Sequence, residues 1–295
     1  VKIVVLTAIT ADRDSLKETQ NTRGADFVAF CDRPLVSKTW GIRPACDLFR
    51  DPVRNAKIHK ILPQLFFPEY DYSLWIDGTL ELADPVPLLI ERYLENCEAV
   101  FGQHPVHRSL ADETEACERE VLDNPAIVHA QLAEQAPGKS GDVFPLASAI
   151  LRRHTKNVAR FNTVWWAAIC RWSRRDQLSL LEAATETNLS WALFPRSADL
   201  EKDATQRHLG SPHFRWYPHG YGLSTETVVV PPIESVSKSD WLNRRLAFVE
   251  AVSGQRESYA LSLEVELSRQ TQRAAEAERY ARSVEEELQK FRQPI

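Results

Sequence analysis

The chain has 295 residues, of which 43% are hydrophobic and 26% charged, with a net charge of −5. That length suits one large α/β domain with an appendage, and the charge balance lacks the basic footprint that nucleic-acid binding needs. No apolar run reaches the about 18 residues that a membrane-spanning helix requires.

In chain order, Val1-Lys-Ile-Val-Val-Leu-Thr7 reads as a buried strand, followed by a polar stretch from Thr10 to Thr22. Asp26-Phe-Val-Ala-Phe-Cys31 is a second strand that ends at Asp32. Residues 52–66 read as one helix, with Ile58, Ile61, Leu62 and Leu65 on one face. Ser73-Leu-Trp-Ile76 is an apolar strand stopping at Asp77-Gly78. A helix over 88–96, a strand at 99–101 and an acidic helical region over 109–135 follow. A loop at 137–142 leads to an apolar segment over 144–151, then to a helix carrying Phe161, Trp165, Trp166 and Ile169. One more helix is expected over 176–184, with Asp176 in a natural N-cap position. Residues 199–222 are polar, aromatic and His-rich, which suits an ordered loop over a site. Strands that are apolar throughout, alternating with helices, predict a mostly parallel sheet covered on both faces.

The last forty residues differ. From 255 to 293 there is neither Gly nor Pro, and Ala260, Leu263, Leu267, Gln270, Ala274, Ala277, Ala281, Val284, Leu288 and Phe291 recur at spacings of three and four. This heptad seam predicts a coiled coil over about 257–292, within a helical extension spanning 236–295 behind a domain at 1–235. It would join the chain to itself as a homo-oligomer, or to a partner protein. Five separated cysteines (Cys31, Cys46, Cys97, Cys117, Cys170) without a C-x-x-C pair indicate neither a cysteine zinc site nor a disulfide framework. A reducing, cytoplasmic setting follows, with the periphery of a membrane as the other option. With no methionine, the chain either lost its initiator or was cut from something longer.

Asp77 closes an apolar strand, which is where ligands bind in open α/β sheets, and a carboxylate there can share a hard cation with a substrate phosphate. An ordinary Asp-Gly turn explains the same residues. Arg54, Lys57 and Lys60 lie along one helical face and could meet a diphosphate, although a solvated amphipathic helix accounts for them as well. Capping explains Asp176, but not the crowding of Arg175 and Gln177 at the same helix end. His208, His213 and His219 match no zinc spacing.

Together these segments resemble a glycosyltransferase-like domain family that includes plant proteins of seed mucilage and turgor regulation, with bacterial relatives. The resemblance covers about residues 2–222. It rests on Leu6-Thr-Ala-Ile-Thr10, Phe30-Cys-Asp32, Ala56-Lys-Ile-His-Lys-Ile-Leu-Pro63, Phe67-Pro68 and Tyr70-Asp-Tyr-Ser-Leu-Trp-Ile-Asp-Gly78. Further on it includes His104-Pro105 with Arg108, Arg153-His-Thr155 and Arg175-Asp-Gln-Leu-Ser179. The family looks like a distant cousin of glycogenin-type transferases of the GT-A fold.

That kinship implies a nucleotide-sugar donor such as a UDP-sugar, a glycan acceptor, a manganese or magnesium ion, and retention of anomeric configuration. By resemblance, Asp77 is the first aspartate of an Asp-x-Asp metal motif, with Gly78 beside it, and Thr79 stands where the second aspartate would be. His219 looks like the histidine that completes the metal site, with His208 as competitor. Lys60, with Lys57 and Arg54, resembles the phosphate-binding helix. Thr7, Ala8 and Asp32 would line the base pocket, Arg153 and His154 would belong to the donor site, and Arg175, Asp176 and Gln177 would meet the transferred sugar. Ala168 departs from the glutamate that plant relatives carry. Two other readings compete: a lipid-amide (ceramide-type) hydrolase, for which no G-x-S-x-G elbow is present, and a non-catalytic nucleotide-sugar-binding scaffold.

Overall fold

The structure is a computed structural model that describes residues 1–11, 13–120, 122–135, 143–196, 210–217 and 219. All of these belong to a compact unit, Val1–Val228. The expected coiled coil, the 137–142 loop and His208 lie outside the described residues.

Nine strands and seven α-helices make up the described unit. β1 (Ile3–Ile9), β2 (Asp26–Cys31) and β3 (Gly41–Pro44) run parallel, with Leu6 facing Val28 and Ala29 facing Ile42. β4 (Tyr72–Ile76) adds to the other side of β1, also parallel. β7 (Pro145–Arg153) then pairs antiparallel with both β4 and β6 (Ala99–Gln103), and β8 (Trp191–Leu193) closes the edge parallel to β6. The order is therefore β3-β2-β1-β4-β7-β6-β8, with β7 as the one reversed strand in that sheet. A two-stranded sheet of β5 (Leu80–Leu82) and β9 (Phe214–Trp216) stands apart from it. The mixed α/β class with a mostly parallel sheet is as the apolar strands predicted. β1, β4 and β7 are buried almost end to end because helices cover the sheet.

The helices depart from expectation at prolines. The predicted 52–66 helix is two: α1 (Pro52–Ile61) and α2 (Pro63–Phe66), parted at Leu62, whose φ of −115° and ψ of 50° are non-helical. A residue before proline is pushed out of the helical region by the pyrrolidine ring, so Pro63 ends the first helix and starts the next. Leu65, expected on the apolar face, is exposed as a result. The acidic 109–135 region likewise splits into α4 (Leu110–Arg119), opened by a Ser109–Asp112 capping box, and α5 (Pro125–Glu134), capped by Asn124. α3 (Val86–Tyr93), α6 (Lys156–Arg171) and α7 (Gln177–Glu186) fall near their expected places.

Part of the His-rich stretch belongs to the core rather than to a loop. Phe214 is buried in β9, and His213 is buried between Asp84 Oδ2 at 2.7 Å and the Tyr93 hydroxyl at 2.6 Å.

α1 is tied to the sheet by an arginine that sequence reading passed over. Arg152, fully buried on β7, donates to the Lys60 carbonyl at 2.6 Å, the Ile61 carbonyl at 3.4 Å and Asn162 Oδ1 at 2.9 Å. The first two are carbonyls at the C-terminal end of α1, where a cation also meets the favourable end of the helix dipole. Burial lowers the Arg152 guanidinium to about 9. Replacing it with methionine fills the space but strands three acceptors, so Arg152→Met should cost roughly 3 kcal/mol. Urea denaturation checks this: a midpoint unchanged from wild type would show that α1 does not depend on this anchor.

Candidate functional site

The chain order reverses at β1: β2 and β3 lie on one side of it and β4 on the other. Ligands in open α/β sheets bind beyond the strand carboxyl ends at such a switch point. A cavity of about 430 Å³ lies there, walled by the end of β1 (Ala8, Ile9), the Asp77-Gly78-Thr79 turn, Lys57 and Lys60 of α1, Ser148 of β7, and Arg175-Asp176-Gln177 at the start of α7.

Its floor is a cluster of buried charges. Asp176 Oδ1 accepts from Lys57 Nζ at 2.8 Å, while Asp176 Oδ2 lies 2.7 Å from Lys60 Nζ. Lys60 also reaches Asp77 Oδ1 at 3.3 Å, and the Trp75 indole donates to that same oxygen at 2.7 Å. The Lys57, Lys60 and Asp176 side chains are 12%, 6% and 3% exposed, which rules out the solvated amphipathic helix for this face of α1. Asp176 does not cap α7. Its backbone is already helical and its side chain makes no cap hydrogen bond, because the carboxylate is turned into the lysine pair.

The electrostatics follow from the packing. Burial alone would raise the Asp176 carboxyl, yet Lys57, Lys60 and Arg175 together hold it well below the usual carboxylate range. Burial is also the largest influence on Lys57. With Lys60 and Arg175 pushing the same way, it outweighs Asp176 and brings the amine down to about 8. Burial would lower Lys60 too, but Asp176 and Asp77 overcome it and raise the amine.

Asp77-Gly78 is a turn, closed by the Leu80 N–H on the Asp77 carbonyl at 2.9 Å. A Cβ at Gly78 would sit 2.6 Å from Ile9 Cδ1 and 3.1 Å from Asp14 Cβ, so a larger residue would have to displace the Ile9 side chain. The pairing of β5 with β9 sets Trp216 opposite Leu80, and the Tyr217 N–H reaches the buried Thr79 carbonyl at 2.9 Å. This return brings His219 to the cavity, where its Nδ1 lies 3.1 Å from both oxygens of Asp14.

The cavity wall thus includes Ala8, Lys57, Lys60, Asp77, Gly78, Thr79, Arg175, Asp176, Gln177 and His219. Thr7 is buried in β1, and Asp32 Oδ2 accepts the Ala11 N–H at 2.6 Å beside the end of that strand. Beyond Thr7 and Asp32, three more expected residues are not brought to this wall. Arg54 turns to Asp51 and to the Ile169 and Trp172 carbonyls at the end of α6. Arg153 lies at the opposite end of the sheet, because β7 runs antiparallel and sets it against Tyr72, where it donates to the Tyr72 hydroxyl at 2.9 Å. His154 follows it there, and burial together with Arg152 lowers its imidazole to about 4.

Sequence reading assigned no role to Asp14, Ser148, Arg174, His104 or Glu113. Arg174 also lines the cavity, held by Asp51 at 3.2 Å and the Leu122 carbonyl at 3.1 Å. Among the described residues, His104, His107 and Glu113 are the one group of three whose ligand atoms approach within 4.8 Å and could hold a metal. As placed, they form a hydrogen-bonded chain instead. His104 Nδ1 accepts the His107 N–H at 2.8 Å, and the two Glu113 oxygens take up His107 Nδ1 at 2.8 Å and Arg175 Nη2 at 2.7 Å.

Residues 40–208, more than half of the chain, match the model of the TOD1/MUCI70 glycosyltransferase-like domain. The chain belongs to that family. It is also 32% identical over 163 residues to a probable hexosyltransferase, MUCI70, of Arabidopsis thaliana, a match covering 50% of this chain and 28% of that protein. The family match takes in α1, the Asp77 turn and the start of α7, and so most of the cavity wall.

The depressed Lys57 gives a pH dependence with a definite sign. Its positive charge is present below about 8 and is lost as pH rises through that value. A nucleoside diphosphate, whose terminal phosphate ionises near 6, keeps constant charge through this window. Its affinity should therefore fall above about pH 8, approaching a tenfold loss per pH unit. Lys57→Arg, which stays protonated, should flatten the slope. Titration calorimetry between pH 7 and 9.5 decides it: a flat wild-type profile removes Lys57 from the anion site.

Proposed function

We propose that the chain transfers a hexosyl group from a nucleotide-sugar donor, a UDP-sugar in the first instance, to a glycan acceptor, on a GT-A-type fold. The observation that carries this reading is the convergence of Lys57, Lys60 and Arg175 with Asp77 and Asp176 on one cavity at the β1/β4 switch point, in a chain of a glycosyltransferase-like family. The single reversed strand β7 supports the GT-A assignment, since it delivers Ser148 against Asp77, whose N–H donates to the Ser148 carbonyl at 2.8 Å.

In this reading Thr7, Ala8 and Asp32 line the base pocket, and Lys57 and Lys60 hold the diphosphate. Gln177 and Asp176 orient the sugar, with Arg175 beside them. Cations fixed before the reaction stabilise the charge that develops on the leaving diphosphate, without reorganisation during transfer. Asp176 is too firmly held by two lysines to serve as a nucleophile, so it positions the lysines and the sugar.

Asp77, Thr79 and His219 would hold a manganese or magnesium ion. A carboxylate, a hydroxyl and an imidazole suit such an ion by their chemistry, although as placed they are not gathered into one ligand group. The Asp77 side chain is 37% exposed, and His219 turns Nδ1 toward Asp14, which leaves Nε2 as the donor atom. When bound, the ion would neutralise part of the diphosphate charge.

A panel of UDP- and GDP-sugars with manganese, read by nucleotide release and thermal shift, tests the proposal. Saturation near a hundredfold over Kd should stabilise the fold by about 2.7 kcal/mol. Asp77→Ala should lower turnover by roughly a hundredfold or more. Absence of stabilisation by every nucleotide, with and without metal, would sink the transferase reading. Ceramide hydrolysis that survived Asp77→Ala would replace it with the lipid-amide alternative.

A further inference from the structure

The chain His104–His107–Glu113–Arg175 begins and ends on the cavity wall, since both His104 and Arg175 line it. Its middle is inaccessible: the Glu113 side chain has 0% exposure. Glu113 Oε1 grips one edge of the guanidinium, taking Nη2 at 2.7 Å and Nε at 3.3 Å. Besides Glu113, the guanidinium meets the Cys117 thiol, and the hydrogen bonds to Glu113 use Nε and Nη2 but not Nη1, on a side chain that is 26% exposed and lines the cavity. Glu113 Oε2 in turn takes Nδ1 of His107, and that histidine is held by its own N–H on His104 Nδ1 and by stacking of the two rings, centroids 3.8 Å apart at 13°.

We infer that Glu113, oriented by His107, is the positioning residue of Arg175, fixing the guanidinium so that Nη1 is presented to an anionic oxygen of the ligand. An arginine left unguided loses much rotamer entropy when it binds a phosphate, whereas a carboxylate gripping its Nε/Nη2 edge removes that cost beforehand. The identity of the anion as a diphosphate rests on the function proposed above; the holding of Arg175 does not.

A ligand-free measurement and a ligand-binding measurement separate the two. In nitrogen-15 spectra, the Arg175 Nε–H signal, assigned by its loss in Arg175→Lys, should be protected from solvent exchange in the wild type and lose that protection in Glu113→Gln. Unchanged protection in Glu113→Gln overturns the inference.

For binding, UDP with manganese is the probe. Glu113→Gln should weaken it by about tenfold, and His107→Ala, a milder change should the first variant fold poorly, should weaken it less. Glu113→Gln/Arg175→Ala should be no weaker than Arg175→Ala alone, because residues acting through one another are not additive. Additive losses would overturn the positioning role. A wild type that binds no nucleoside diphosphate, yet shows the Nε–H protection and its loss, would end the transferase reading while leaving Glu113 as the residue that holds Arg175.

Discussion

The site depends on a carboxylate shared by two lysines in a place almost closed to water. Asp176 lies at the start of α7, Lys57 and Lys60 on α1, and the three side chains are all nearly buried. Charges removed from water are stable only when paired and hydrogen-bonded, and breaking one buried partner costs about 3–5 kcal/mol. Each element that brings these groups together is therefore under constraint. Arg152 holds the C-terminal end of α1 against β7, and Trp165 of α6 donates to the Asp176 carbonyl at 2.9 Å. Arg54 and Arg174 fasten α1 and the α7 entry through Asp51.

Much of this was legible. Apolar strands ending in polar residues gave the sheet its class and put Asp77 at its carboxyl edge, and the order of short motifs pointed to the family. Proline positions were in plain view, yet the breaks at Pro63 and Pro125 were missed because apolar residues continue past both. Asp176 misled for a sound local reason: an aspartate before a helical pattern usually caps it, and only the tertiary approach of α1 competes for the carboxylate.

Other residues carried no signal at all. Glu113 is one of several acids in an acidic helix, and nothing local separates the buried one from its exposed neighbour Glu115. Asp14 depends on the return of the chain through β9, some two hundred residues later, before it meets His219. Arg153 and His154 looked like donor-site residues because their motif is prominent. The antiparallel direction of β7, which no periodicity reveals, carries them to the far end of the sheet.

The ion-pair pattern also says how an anion could enter without leaving a charge stranded. Lys60 is divided between Asp176 at 2.7 Å and Asp77 at 3.3 Å, and the longer contact is to the more exposed carboxylate. Lys57 gives its proton donors to Asp176 and to the Arg174 carbonyl at 2.7 Å. Of these contacts, Lys60–Asp77 is the one that can be given up with least desolvation cost, since Asp77 can turn to water or to a cation. An anion entering there would replace Asp77 as the second partner of Lys60, while Asp176 keeps both lysines in place. On this argument Asp77 serves as the exchangeable counter-charge of the site and Asp176 as the permanent one. The two aspartates have different work because one is partly exposed on the cavity and the other is nearly buried at its floor.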